Sequence, residues 1–229
     1  MPIKWKTTEI ETPEGKVKVT HWEKHDPQKL MEALQHNQID RKGKNSIVTV
    51  HKFGSHLIAA KLFWSREATN RFKTLRELER RRLAIVETPV ALVELSGEPW
   101  RSQIVTLYKK GTVTLKEFLN DLRYGVETKR KAALSAAAKL ALLHAAGFTH
   151  SHPHENNIVV DKHGNAQLID YKLIEKNIDS LDTRDPLYFE HWSGLIHGNT
   201  TTAEKFYQRL KDHYRQVKEK AQRQTIASR

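Results

Sequence analysis

The chain has 229 residues, of which 38% are hydrophobic, enough for one domain or two packed lobes. It contains no cysteine, which excludes disulfides and thiolate zinc sites. The formal net charge of +12 favours a polyanionic partner, but charge alone does not choose among nucleic acid, an anionic membrane face and a phosphorylated glycolipid.

Met1–Lys6 lacks the apolar stretch of a secretory signal, and no apolar run reaches the ~18 residues that span a bilayer. Residues 1–40 form a lead-in, with alternation over Lys16–Thr20 predicting a strand and Pro27–Leu34 a short helix. Ser46–Val50 and His56–Phe63 predict a hairpin turned at Lys52–Ser55. Residues 66–86 are charged and helix-forming, with Pro89 beyond their end. Gln103–Tyr108 predicts a strand, and Leu115–Arg123 and Lys129–Ala146 predict helices, the second closed by Gly147. A second hairpin joins Asn157–Val160 to Ala166–Ile169 through Asp161–Asn165. Near the end, Ala203, Phe206, Leu210, Tyr214, Val217 and Ala221 recur at helical steps, leaving Lys211, Arg215, Lys218 and Lys220 on other faces. The order, strands with one helix and then helices around a short hairpin, predicts an α+β, two-lobed protein-kinase-like fold. Its N-lobe is small and β-rich (1–108) and its C-lobe mainly helical (109–229), within a single kinase-like domain.

The most specific signal is the segment from Phe148 to Val160. His150 and Asn157 fall on the first and last positions of the kinase catalytic loop H-x-D-x-x-x-x-N, and Asp170 follows an apolar strand at the spacing of the metal-binding aspartate. The middle position, where a kinase carries its catalytic aspartate, is His152. Asn157 and Asp170 at the two ends of a hairpin are candidate magnesium ligands, because that ion takes carboxylate and carbonyl oxygens beside a triphosphate. His150, His152 and His154 alternate, which also suits zinc on an extended strand, but Pro153 and the Asn-rich turn suit a loop better.

Lys61 ends an apolar strand behind Ala59 and Ala60, the place of the lysine that neutralises nucleotide phosphates. Its glutamate partner is expected on the next helix. Glu77 and Glu79 are two residues apart and face different sides, so one of them at most serves; Glu77 is preferred by a narrow margin. Arg41–Ser46 precedes its strand without a G-x-G-x-x-G, leaving Lys44 and backbone amides as the expected phosphate cover.

These residues resemble the lipopolysaccharide core kinases of Gram-negative bacteria, which phosphorylate inner-core heptose or Kdo sugars. The D-P-H-x-x-N loop of the core heptose kinases is matched by His152-Pro153-His154-Glu155-Asn156-Asn157, and their I-D strand end by Leu168-Ile169-Asp170. Ile58–Pro89 resembles their lysine strand and first helix, and Arg184-Asp185 their helix entry. The resemblance implies ATP and Mg2+ as cofactors, a glycolipid acceptor, cytoplasmic residence with peripheral contact to an anionic membrane face, and no role for nucleic acid. His152 and Asp170-Tyr171-Lys172, in place of D-F-G, depart from the pattern. A neutral imidazole accepts a proton, so His152 is the candidate base; loss of a base costs ~10²–10⁴ in rate. The alternatives are a pseudokinase that binds nucleotide without transfer, a basic adaptor built on a kinase-like shell, and a small tRNA-modification kinase, whose H-G-D loop is poorly matched.

Overall fold

The computed structural model describes residues 3–13, 15–42, 48–81, 88–95, 101–170, 174–176 and 185–227. They fall into two compact units that divide after Lys110.

The first unit is a seven-stranded antiparallel sheet with two helices. In chain order it runs β1 (Trp5–Thr12), β2 (Gly15–Trp22), α1 (Pro27–His36), β3 (Gln38–Lys42), β4 (Val48–Phe53), β5 (His56–Trp64), α2 (Ser65–Arg80), β6 (Pro89–Glu94) and β7 (Arg101–Tyr108). The spatial order is β1-β2-β6-β7-β5-β4-β3. Strand side chains alternate, so each face has its own helix. Ile58, Ala60, Ala91, Val93 and Val105 form a core with Leu30 and Met31 of α1 on one face. Ala59, Lys61 and Phe63 of β5 point to the other, and Lys61 stands opposite Ile104 of β7. Helix α2 packs against β5, β6 and β7 and buries Ala68, Phe72, Leu75 and Leu78. Asp26 caps α1 by accepting from the amides of Gln28 and Lys29, with Pro27 in the first turn.

The second unit holds β8 (Val113–Thr114), α3 (Leu115–Asn120), α4 (Val126–Ala145), β9 (Phe148–His150), a 3-10 turn (Glu155–Asn157), β10 (Ile158–Val160), β11 (Ala166–Leu168), β12 (Ile174–Lys176), α5 (Asp185–His197) and α6 (Thr201–Ala227). Helix α4 is its axis. Its buried face is mostly alanine (Ala132, Ala133, Ala136, Ala137, Ala141), which lets α6 and the β10–β11 hairpin pack closely on it. Ala203, Phe206, Leu210 and Tyr214 of α6 are buried, and Val217 and Ala221 are half-buried. His144 and the Tyr214 hydroxyl join α4 to α6 at 2.6 Å. The hairpin turn is organised by Asp161, which accepts from the amides of His163 and Asn165, and Ser135 of α4 accepts from the amide of Ala166.

Several elements differ from the sequence-based expectation. β1, β3, β6, β9 and β12 had no clear alternation and form because neighbouring strands supply their hydrogen bonds. Pro89 opens β6 rather than trailing a helix, at the first position of a strand where no amide is required. Helix α3 stops at Asn120, and α4 begins at Val126 rather than Lys129.

Candidate active site

In the first unit, Lys61 is 6% exposed, with Nζ 5.6 Å from the centroid of the Phe63 ring. Lysine is seldom buried, so its place in the middle of β5, behind Ala59 and Ala60, is distinctive. Helical register separates the two glutamates of α2. Glu79 follows Ala68, Phe72 and Leu75 at steps of four, three and four, which puts it on the sheet-facing side. Glu77 lies on the opposite side of the helix. Its carboxylate takes two bonds from Arg80, at 2.9 and 3.0 Å, and one from Arg81 at 2.7 Å. The bonds from Arg80, reinforced by Arg81, hold its pKa at about 2. Glu77 therefore clamps the end of its own helix. Lys44 lies outside the described residues, as do Tyr171, Lys172 and Arg184.

In the second unit the loop residues come together as their spacing predicts. The β10–β11 register pairs Ile158 with Leu168, and the amide of Ile169 donates to the carbonyl of Asn157 at 2.9 Å. Asn157 thus stands opposite Ile169, and Asp170 is the next residue. Asp170 has φ of 61°, the only positive φ of a non-glycine among the described residues. A left-handed backbone at an aspartate costs free energy and is held by its surroundings, a pattern that gathers at functional sites. The Asn157 amide is oriented by its neighbours. Nδ2 donates to the carbonyl of His152 at 3.0 Å, and a carbonyl accepts only, so Oδ1 is turned away from it. His154 caps the 3-10 turn by accepting from the amide of Asn156 at Nδ1, with Nε2 3.2 Å from Asn157 Nδ2. Glu155 reaches His191 of α5 at 3.6 Å, which ties the turn to that helix.

His150 is the brace of this arrangement. It is 3% exposed, Nε2–H donates to the Ile169 carbonyl at 2.9 Å, and Nδ1 accepts from the amide of His152 at 3.3 Å. These two bonds require the neutral ring with its proton on Nε2. Burial pushes its pKa below the ordinary imidazole value, against the opposing pull of the Ile169 bond and the Asp170 carboxylate. His152 is exposed at the position of the kinase aspartate. The three histidines do not converge, and among the described residues no group of three or more His, Cys, Asp or Glu side chains could hold a metal, so nothing favours zinc. The donor pair Asn157 Oδ1 and Asp170 fits a hard cation that takes oxygen ligands and keeps waters. The sequence pattern contained His150 and His154 but gave no sign that one would brace and the other cap.

The lipopolysaccharide kinase (Kdo/WaaP) family model matches residues 48–181, more than half of the chain. The chain belongs to that family. The matched segment contains Lys61, both α2 glutamates and the whole loop from His150 to Asp170. A solved structure, WaaP in complex with acyl carrier protein, is similar in fold, with a TM-score of 0.55 at 17% identity over 88% of this chain and 94% of that one. The kinase-like fold expected from the sequence is therefore borne out. Comparison with curated proteins finds no match. Among the described residues, no helix is long and apolar enough to cross a membrane.

Proposed function

We propose that the protein is an ATP- and magnesium-dependent phosphotransferase whose acceptor is a heptose or Kdo sugar of the lipopolysaccharide core at the cytoplasmic membrane face. Family membership supports the reaction class. The observation that carries the reading is local: Asn157 and Asp170 are adjacent by hairpin register, Asp170 is held at a positive φ, and His150 ties the preceding carbonyl to the loop.

In this reading Lys61 neutralises nucleotide phosphates, with Glu79 as its helix partner. Asn157 Oδ1 and the Asp170 carboxylate would hold magnesium, which would supply charge neutralisation on the phosphates. His150 fixes the backbone between them. His152 faces the acceptor: its imidazole orients the sugar hydroxyl and takes its proton. Phosphoryl transfer is mostly positioning and electrostatics, so the substitution of imidazole for carboxylate lowers the rate without removing the nucleotide site.

His152 itself favours a second reading, a pseudokinase that binds nucleotide or a partner without transfer. The acyl carrier protein held by WaaP also makes a carrier protein a partner to test by pull-down. The deciding experiment is ATP binding with and without magnesium, followed by product analysis on dephosphorylated lipopolysaccharide. Magnesium-dependent binding with a phosphorylated core sugar supports the kinase. Binding without product, in wild type and His152→Asp alike, supports the pseudokinase.

A further inference from the structure

Strand β5 extends beyond the cover of its own core. Ile58 and Ala60 are sealed on the α1 face, but the next two side chains of that face, Leu62 and Trp64, are 38% and 61% exposed. Trp64 stands opposite Arg101 on β7 and Leu62 opposite Gln103. The Arg101 guanidinium lies 5.9 Å from the Trp64 ring centroid. Exposed Arg66 follows in the first turn of α2, and Trp64, Arg66, Glu67, Asn70 and Arg71 line an open pocket of about 450 Å³. The carboxylate of that pocket, Glu67, lies 3.9 Å from Arg71. The corner thus has an apolar centre and a cationic rim.

We propose that Leu62 and Trp64, with Arg66 and Arg101, form a docking surface for an anionic lipid bilayer. Leu62 and Trp64 enter the headgroup boundary while the two guanidinium groups bind lipid phosphates. An indole has an apolar body and an N–H at its rim, which suits the membrane–water interface. A guanidinium matches phosphate oxygens in pairs, and the +12 charge of the chain adds attraction to an anionic surface. Patch size separates a bilayer from a protein partner. A stable protein interface buries about 800 Å² on each side, far more than two side chains offer, whereas peripheral attachment needs shallow apolar insertion and a few cations. The purpose of this surface rests on the proposed lipid-linked acceptor; its chemistry does not.

The test is co-sedimentation of the full chain with phosphatidylcholine vesicles and with mixed phosphatidylcholine–phosphatidylglycerol vesicles, without nucleotide or sugar. Wild type should bind the anionic vesicles in a salt-sensitive way. Trp64→Ser should weaken that binding at least about tenfold. Arg101→Gln should weaken it and flatten its salt dependence, while the α6 double variant Lys220→Glu/Arg223→Glu stays within about twofold. Brominated lipids should quench wild-type fluorescence more than that of Trp64→Phe. Wild type that ignores anionic vesicles, Trp64→Ser that binds like wild type at equal melting temperature, or loss of binding in the α6 variant alone would overturn the assignment. Loss of binding in Trp64→Ser, in a protein that transfers no phosphate to a core sugar, would reject the kinase reading and leave this surface standing.

Discussion

His150 and Ile169, nineteen residues apart, are joined by a 2.9 Å bond from the imidazole Nε2–H to the backbone carbonyl that precedes Asp170. The same ring accepts the His152 amide on its other nitrogen, so one buried neutral side chain sets both the loop and the strand end before Asp170. His150→Ala should leave a buried carbonyl and an amide without partners, at a cost of about 2–3 kcal/mol by urea unfolding. Affinity for magnesium–ATP should fall with it.

The same relationship has a pH signature. The folded-state pKa of His150 is lowered, so the unfolded chain binds the proton more readily. Its contribution is complete above the unfolded value near 6.5 and is lost as pH falls through the lower folded value. Unfolding of wild type and His150→Gln, compared at pH 7.5 and 5.5, should show a stability gap that narrows at the lower pH. A constant gap would mean that the ring is not held neutral.

Asp170 separates strain from function. Glycine adopts φ of 61° without penalty, so Asp170→Gly should be more stable than Asp170→Ala, by up to about 1 kcal/mol, while magnesium–ATP binding is lost in both. Asp170→Val should be destabilised, because β-branched side chains fit this region poorly. Thermal melts and ATP titration on the same samples read both effects.

The two α2 glutamates should divide their roles. Glu79→Ala should weaken ATP binding or transfer about tenfold or more, as loss of the Lys61 partner would. Glu77→Ala removes the bonds from Arg80 and Arg81 that clamp the helix end, and should lower the melting temperature while leaving ATP affinity near wild type. The reverse ranking would favour the assignment made from the sequence.

The sequence was most legible where chemistry fixes spacing. His150, His152, Asn157 and Asp170 were marked by a loop and a hairpin whose lengths leave little freedom, and the α6 stripe by its period. The sequence separates Glu77 from Glu79 poorly, because the choice depends on which residues that helix buries, and a helix dense in Arg and Glu gives a weak apolar signal. The strands β1, β3, β6, β9 and β12 were invisible for a related reason. β1 and β3 are edge strands, β9 and β12 have three residues each, and β6 is buried on both faces and so shows no alternation; their conformation comes from pairing with distant residues rather than from local preference. The bracing role of His150 lies in a contact with a backbone carbonyl, which no residue pattern encodes.

The most direct test is transfer of labelled γ-phosphate from ATP to dephosphorylated lipopolysaccharide core by wild type, His152→Ala and His152→Asp at matched folding. The account predicts product from wild type, a loss of about 10²–10⁴ in rate for His152→Ala with ATP affinity retained, and product from His152→Asp. No product from any of the three, with ATP affinity unaffected by Lys61→Ala or Asp170→Asn, would contradict the account at its centre.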